Sequence, residues 1–474
     1  MKNIILTIVI AGILAAAQAP AGTGEKETTL ADQTRLFVTI YNQDMALIKD
    51  SRSLVLPKGE SLLAFKDVSG RILPETALLT GGSLNVIEQN FEFDLLTPES
   101  LLKKFTGETV TVIRTHPETG VETSTPARVL SSAQGVVLEI NNAIETGIPG
   151  RIAFPYVPDN LRTRPTLTML VNSPIPDRQD LELSYLTNGL TWKADYIAQI
   201  NAEDTALDLS GWVTLTNTSM TTYANADLQL VAGDVHMAPE PEQRYVRKMV
   251  AMAAPAAGGD AFQQEEMFEY HLYTLNRKTT LRDNQTKQVA LLHAENVPCK
   301  KQYLLQGEPF YFSQPLGTDT TKLKTGVFME MDNTKANNLG MPLPKGVIRV
   351  YKEDSRGKLQ FAGEDRVDHT PENVTVRLKL GNAFDVTAEK KQTDFRKLSP
   401  GASFGFRLQS SFEISIKNSK TIPVTVTVEE PVPGEWRITQ ETHPHTKSSS
   451  SRAVWQIPVP AKGDAVLTYT VQTR

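Results

Sequence analysis

Cysteine is almost missing from this chain: Cys299 is the only one in 474 residues, which excludes an intramolecular disulfide and leaves stability to packing. No second thiol stands beside it, and although Lys300 and Lys301 follow directly, the position reads as a small apolar filler rather than a reactive thiol. An excess of one charge sign is lacking too. Forty-nine Lys and Arg against 54 Asp and Glu leave a net charge of -5, so there is no electrostatic footprint for DNA or RNA. There is no His-Glu-x-x-His run, no phosphate-cradling glycine loop and no dinucleotide fingerprint. Each absence removes a common route to an enzyme, and none implies a cofactor.

What is present begins at the first residue. Met1 and Lys2 precede the apolar run Ile4 to Ala17, which closes on Ala17-Gln18-Ala19-Pro20-Ala21-Gly22, the pattern of an export signal. The run is shorter than the roughly 20 apolar residues that cross a hydrocarbon core, so no transmembrane span is expected in the mature chain. Pro20 directly after a cut at Ala19 would hinder the peptidase, so residues 1–21 are expected to leave as a signal peptide. No cysteine stands directly after the run to carry a lipid. The expected compartment is therefore the periplasm or the outside of the cell.

Twenty-eight prolines and 29 glycines without a collagen-like period punctuate many short segments, which is β-rich composition. Period-two rows are plain near the C-terminus: Val374, Val376, Leu378 and Leu380; Phe412, Ile414 and Ile416; Ile422, Val424, Val426 and Val428; Ala465, Leu467, Tyr469 and Val471. Four such rows call for two facing sheets, so residues 369–474 are expected to form an immunoglobulin-like antiparallel β-sandwich. Trp436 and Trp455 are expected in its core, ahead of a role as aromatic platforms for a glycan.

A central β-sandwich is expected over 165–368. Leu181, Leu183 and Tyr185 alternate, Asn188-Gly189 reads as a hairpin turn, and Trp192, Ala194, Tyr196 and Ala198 continue on the return strand. Between residues 237 and 266 the pattern dissolves into Pro, Gln, Ala and Gly, the composition of a flexible insertion. Residues 97–158 read as a small unit: Thr97-Pro98-Glu99 caps a short helix through Phe105. Strands at Val110 to Arg114, Thr125 to Leu130, Gly135 to Ile140 and Arg151 to Phe154 then suit a closed barrel of the SH3 or Sm-like kind. The segment 34–96 is strand-rich and is expected to pair with the central region. The fold class is thus mainly β, with several domains.

Several blocks carry a resemblance. They are Asn188-Gly189-Leu190-Thr191-Trp192-Lys193-Ala194-Asp195-Tyr196, Gly211-Trp212-Val213-Thr214-Leu215-Thr216-Asn217 and Leu230-Val231-Ala232-Gly233-Asp234. Tyr270-His271-Leu272-Tyr273-Thr274-Leu275, Gly340-Met341-Pro342-Leu343-Pro344-Lys345-Gly346-Val347-Ile348-Arg349-Val350 and Leu380-Gly381-Asn382-Ala383-Phe384-Asp385-Val386 complete the set. Together they span about residues 165–474, and the chain resembles bacterial exported proteins of the domain of unknown function 4139 family. It is more distantly similar to the mucoidy-inhibitor group. The resemblance implies an exported β-protein without an assigned reaction and supplies no catalytic residues.

Two constellations could hold chemistry. Glu364, Asp365, Asp368, His369 and Glu372, with Asp385 on a nearby strand, could bind a divalent ion or act as acid and base; turn chemistry and sheet-edge solubility explain the same residues more simply. His443-Pro444-His445 puts two imidazoles on one side of an extended segment, where they could share an ion if Glu441 or a distant loop joined them. His116, His236, His271 and His293 are isolated. The expected function is a non-catalytic envelope protein, a scaffold or binding module for another protein or a surface polymer. The alternative is a metal-assisted hydrolase of an envelope polymer acting through residues 364–385. If the signal reading holds, N-terminal sequencing of the exported protein returns a chain that begins near Gly22; an intact Met1 form would defeat it.

Overall fold

Alternation of apolar and polar residues becomes strand in the computed structural model, which describes residues 25–92, 94–133, 135–147, 150–158, 161–233, 262–267, 270–316, 320–398 and 407–474. Val376 and Leu378 lie inward on the strand Thr375–Leu398, and Phe412, Ile414 and Ile416 on Arg407–Asn418. Val424, Val426 and Val428 do so on Val424–Pro431, and Leu467, Tyr469 and Val471 on Asp464–Thr473. Burying each such side chain contributes about 1.5–3 kcal/mol, against roughly 1–2 kcal/mol per residue for ordering the backbone. Val374 and Ile422, expected to head two rows, are 41% and 61% exposed. Each precedes the first paired residue of its strand, so no ladder turns it inward.

The described chain divides into two compact units. One comprises the described residues up to Val38 with Leu47–Asn188 and Thr218–Ala226; the other comprises Thr39–Ala46, Gly189–Asn217 and Asp227–Arg474. In the first, the strand Thr166–Ser173 lies between Gly59–Lys66 and Asn85–Glu92, antiparallel to both, and Lys26–Thr28 adds in parallel to Gly59–Lys66. A buried ion pair sits in the same unit. Arg52 is 2.8 Å from Asp50 and stacks 3.8 Å over the Phe65 ring.

Residues 97–158 build a helix and a five-stranded sheet within this unit. Thr97 Oγ1 accepts the Ser100 N–H at 3.0 Å and Pro98 takes the first helical position of Pro98–Lys104. The sheet runs Ala143–Thr146, Val137–Ile140, Glu122–Ser131, Thr109–Thr115, Arg151–Ala153. The expected closed SH3 or Sm-like barrel is not formed: among the described residues the two outer strands do not pair. They are four and three residues long, too short to carry a ladder around a barrel. The core over Val110, Val112, Val129 and Leu138 is completed by Leu101, Leu102 and Phe105, with the Phe154 and Tyr156 rings each 5.1 Å from that of Phe105.

The Asn188-Gly189 turn is not a hairpin. Arg178–Thr187 pairs with Leu78–Gly81, whereas Leu190–Ile200 pairs with Ala206–Asn217 and, in parallel, with Gly346–Glu353. Only Gly189 takes a positive φ, at 87°, whereas a two-residue type I′ turn needs both central residues there. The backbone N–H groups go elsewhere, from Asn188 to the Arg71 carbonyl and from Gly189 to the Asp44 carboxylate.

In the second unit one sheet runs Leu359–Val367, Gly346–Glu353, Leu190–Ile200, Ala206–Asn217, Gln285–Gln306, Thr321–Asp332, Thr375–Leu398, Arg407–Asn418, Asp464–Thr473, Trp436–Glu441. The 22-residue strand Gln285–Gln306 pairs with Ala206–Asn217 along its first part, then with Thr321–Asp332 and, in parallel, with Val424–Pro431. Val424–Pro431 continues to Arg452–Val459 and Thr446–Ser449. The C-terminal sandwich therefore does not start at residue 369: Tyr303, Leu305, Tyr311 and Phe312 belong to its core with Val426, Phe412, Trp455 and Leu467. Of the expected insertion at 237–266, residues 237–261 lie outside the described residues, while Phe262–Met267 is a strand antiparallel to Tyr270–Leu275. Trp455 is fully buried; Trp436 is partly buried at the core's edge, its indole N–H bonded to the Ser450 carbonyl at 2.7 Å.

Trp455→Ala should therefore cost about 3–5 kcal/mol, read as a lower urea midpoint with an unchanged slope. Thr97→Ala removes only a cap and should cost about 0.5–2 kcal/mol.

Candidate functional site

Successive residues of a strand point to opposite faces, and this scatters the acidic cluster. On Leu359–Val367, Glu364 pairs with Arg349 at 3.1 Å, while Asp365 accepts the Lys379 N–H at 2.7 Å and that of Arg366 at 2.9 Å. Asp368 acts through its carbonyl, which accepts the Thr370 hydroxyl at 2.8 Å. His369 Nδ1 accepts the Lys345 N–H at 3.3 Å, and its Nε2 lies 3.4 Å from the Asn42 side-chain amide. Glu372 reaches towards Lys335 at 3.9 Å, and Asp385 towards Lys420 at 3.8 Å. The carboxylates do not converge.

His443 and His445 are engaged separately. Thr442 Oγ1 is 3.2 Å from His443 Nδ1. His445 Nδ1 is 2.9 Å from Glu441 Oε2, which also accepts the Trp455 indole N–H at 2.9 Å, and the His445 ring is flanked by Trp436 and Trp455. Among the described residues no group of three His, Cys, Asp or Glu is placed to hold a metal ion. Cys299 is half-buried, 3.9 Å from the Asp204 carbonyl. Burial, helped by the Asp204 charge, pushes its thiol up to about 11, so the thiolate is disfavoured. One hydrolase-like spacing does occur, Gly401-Ala402-Ser403-Phe404-Gly405, outside the described residues. A nucleophile elbow joins a strand to a helix; here both flanks, Thr375–Leu398 and Arg407–Asn418, are strands of one antiparallel ladder.

The sequence reading missed a cleft of about 200 Å³ in the second unit, walled by Ile200, Val327, Met329 and Leu380. Asp204 lies at it, bridged by Lys301 at 2.9 Å and by Lys352. Burial opposes the Asp204 charge, but the hydrogen bonds from the two lysines prevail and hold its carboxyl below the usual range. Two ammonium groups for one carboxylate leave a positive charge beside apolar walls. Asn382 also lines this cleft; two residues on, Phe384 is 94% exposed although it sits within the strand Thr375–Leu398.

A second missed cluster is structural. Buried Asn333 donates from Nδ2 to the carbonyls of Met341, at 2.7 Å, and Pro371, and its Oδ1 accepts the Gly340 N–H at 3.0 Å. Tyr196 donates to the Pro344 carbonyl at 2.8 Å and Tyr273 to that of Pro342 at 3.0 Å. Burial drives both phenols well above their ordinary range, so they remain donors. Gly346 is required beside them, since a Cβ there would stand 2.3 Å from the Ala194 carbonyl oxygen. Proline carbonyls in a loop give no period, so nothing in the residue pattern announced this arrangement.

The family described as Domain of unknown function (DUF4139) matches residues 181–474, well over half of the chain. The chain belongs to the DUF4139 family. No curated protein matches it, and no helix among the described residues is long and apolar enough to cross a membrane. The tyrosine and proline contacts lie wholly inside the DUF4139 region and join three of the blocks that carry the resemblance. What those blocks share in space is a packing device.

Tyr196→Phe should leave the Pro344 carbonyl without its donor and cost about 1–3 kcal/mol, measured by urea denaturation. For Asp204 the sign is that of a depressed carboxyl: its stabilisation is complete above the unfolded value of about 3.9 and is lost as pH falls through the lower folded value. Asp204→Asn should accordingly flatten the acid limb of stability against pH. An unchanged limb would show that the lysine bridge contributes nothing.

Proposed function

We propose that this DUF4139 protein is a non-catalytic exported envelope protein, a scaffold and binding module for another envelope protein or a surface polymer. The observation that supports this most is the fate of the candidate acids. Glu364, Asp365, His369, Glu372 and Asp385 each have a separate basic or backbone contact, whereas general acid and base groups must converge on one reacting atom. The binding face is the cleft of Lys301 and Lys352, which Asn382 also lines, with Phe384 two residues further along the same strand: a large exposed apolar side chain suits an anchor for a partner, and the positive charge of the cleft suits an acidic one.

The test compares variants in a complementation assay with melting curves alongside. Phe384→Ser should leave the melting temperature unchanged and reduce complementation and partner capture from the envelope. Asp365→Asn and His369→Ala should lower the melting temperature, costing about 0.5–2 kcal/mol each, with complementation lost only as far as stability is. Lost complementation at unchanged stability in Asp365→Asn or His369→Ala, with Phe384→Ser fully active, would replace this reading by the hydrolase acting through residues 364–385.

A further inference from the structure

Two opposite charges occupy the apolar core of the C-terminal sandwich. Lys390 continues the inward row of Val386 and Ala388 on Thr375–Leu398, and Glu430 continues that of Val424, Val426 and Val428 on Val424–Pro431. These strands share no ladder among the described residues. The side chains meet across the core, Lys390 Nζ 2.6 Å from Glu430 Oε1, with exposures of 2% and 1%. Aromatic rings close the site. Nζ is 4.2 Å from the Tyr311 centroid and 4.4 Å from that of Phe412, and the Tyr469 hydroxyl is 3.2 Å away.

The site is not built like a satisfied ion pair. A buried carboxylate is ordinarily hydrogen-bonded through both oxygens, yet Glu430 Oε2 is buried without a partner. Gly307 leaves room for it, since a Cβ there would stand 1.9 Å away. Burial pushes the Lys390 ammonium below its ordinary range against the pull of Glu430. Burial and the neighbouring Glu430 drive the Tyr469 phenol far up, so it stays protonated. An amine nucleophile, a carboxyl carbon and a proton carrier are thus held together in a dry pocket.

We propose that Lys390 and Glu430 are a self-modifying pair that condenses to an intramolecular amide, joining Lys390 Nζ to Glu430 Cδ. A proton passes from the ammonium to the carboxylate, giving the neutral pair that a dry site favours. The amine lone pair attacks Cδ and the C–N bond forms. An N–H proton moves through the Tyr469 hydroxyl to one carboxyl oxygen, the C–O bond breaks and that oxygen departs as water. No oxidant, reductant or co-reactant enters. Enforced proximity supplies the rate, since well-oriented intramolecular groups react as if at roughly 10⁵–10⁸ M. The product removes two buried charges and the unpartnered oxygen, and it ties two strands covalently. The inference is independent of what the protein binds.

Intact mass of the denatured full-length mature protein tests this directly. After the N-terminus has been mapped, the mass should fall about 18 Da below the sequence value, the loss of one water. Fragmentation should place the loss on a branched peptide joining Lys390 to Glu430, and Lys390→Arg should restore the sequence mass. A wild-type mass equal to the sequence, or a loss placed elsewhere, overturns the proposal without any variant having to fold. Tyr469→Phe should leave a measurable unlinked fraction; complete linkage in it would remove the hydroxyl from the proton path.

Discussion

Strand length is the constraint on which the larger unit depends. Gln285–Gln306 and Thr375–Leu398, of 22 and 24 residues, each span on the order of 70–80 Å at the rise of an extended chain, more than one sandwich can cover. Each therefore leaves one set of partners and enters another without a linker. A one-residue slip would turn every inward side chain outward, so register has to be corrected along the way. Irregularities between Leu207 and Leu209, Gly211 and Trp212, Lys324 and Gly326, and Gln392 and Asp394 provide this. Gly211 fits one of them because a Cβ would stand 2.8 Å from Leu292.

Against that rigid ladder, the segment around Asn333 and Gly346 shows how an irregular backbone is kept inside a β-protein. Its carbonyls cannot join a sheet, and burying them unpaired would be costly. Asn333, Tyr196 and Tyr273 supply the donors from three separate parts of the chain. The residues that most resemble a family signature are thus the ones that satisfy a buried loop. The charged side chains beside them are spent on local contacts.

The rows at Phe412, Val424 and Leu467 and the cap at Thr97 were legible because periodicity and capping are local. Pairing was not. Asn188-Gly189 marks a turn correctly, but which strands flank one another is decided by residues more than a hundred positions away, such as Gly346 beside Ala194. Closure of the small sheet was equally out of reach, since it turns on strands of three and four residues. Glu364 and Asp365 looked like one cluster because adjacency in sequence hides alternation in a strand. Lys390 and Glu430 sat in plain view at inward positions of two apolar rows, and their polarity kept them from being read as core.

The path of the chain between the two units carries a consequence for inheritance. It crosses from one to the other at residues 38/39, 46/47, 188/189, 217/218 and 226/227, while the family region begins at residue 181. Thr39–Ala46 lies outside that region, yet within the second unit Thr39 bonds to Gln229, Asp44 to Gly189, and Asn42 approaches His369. The portion by which relatives are recognised is therefore not a portion that a gene fusion could carry off whole. The recognised region and the compact unit thus have different boundaries in this protein, and the late strands need the early segment to complete their contacts.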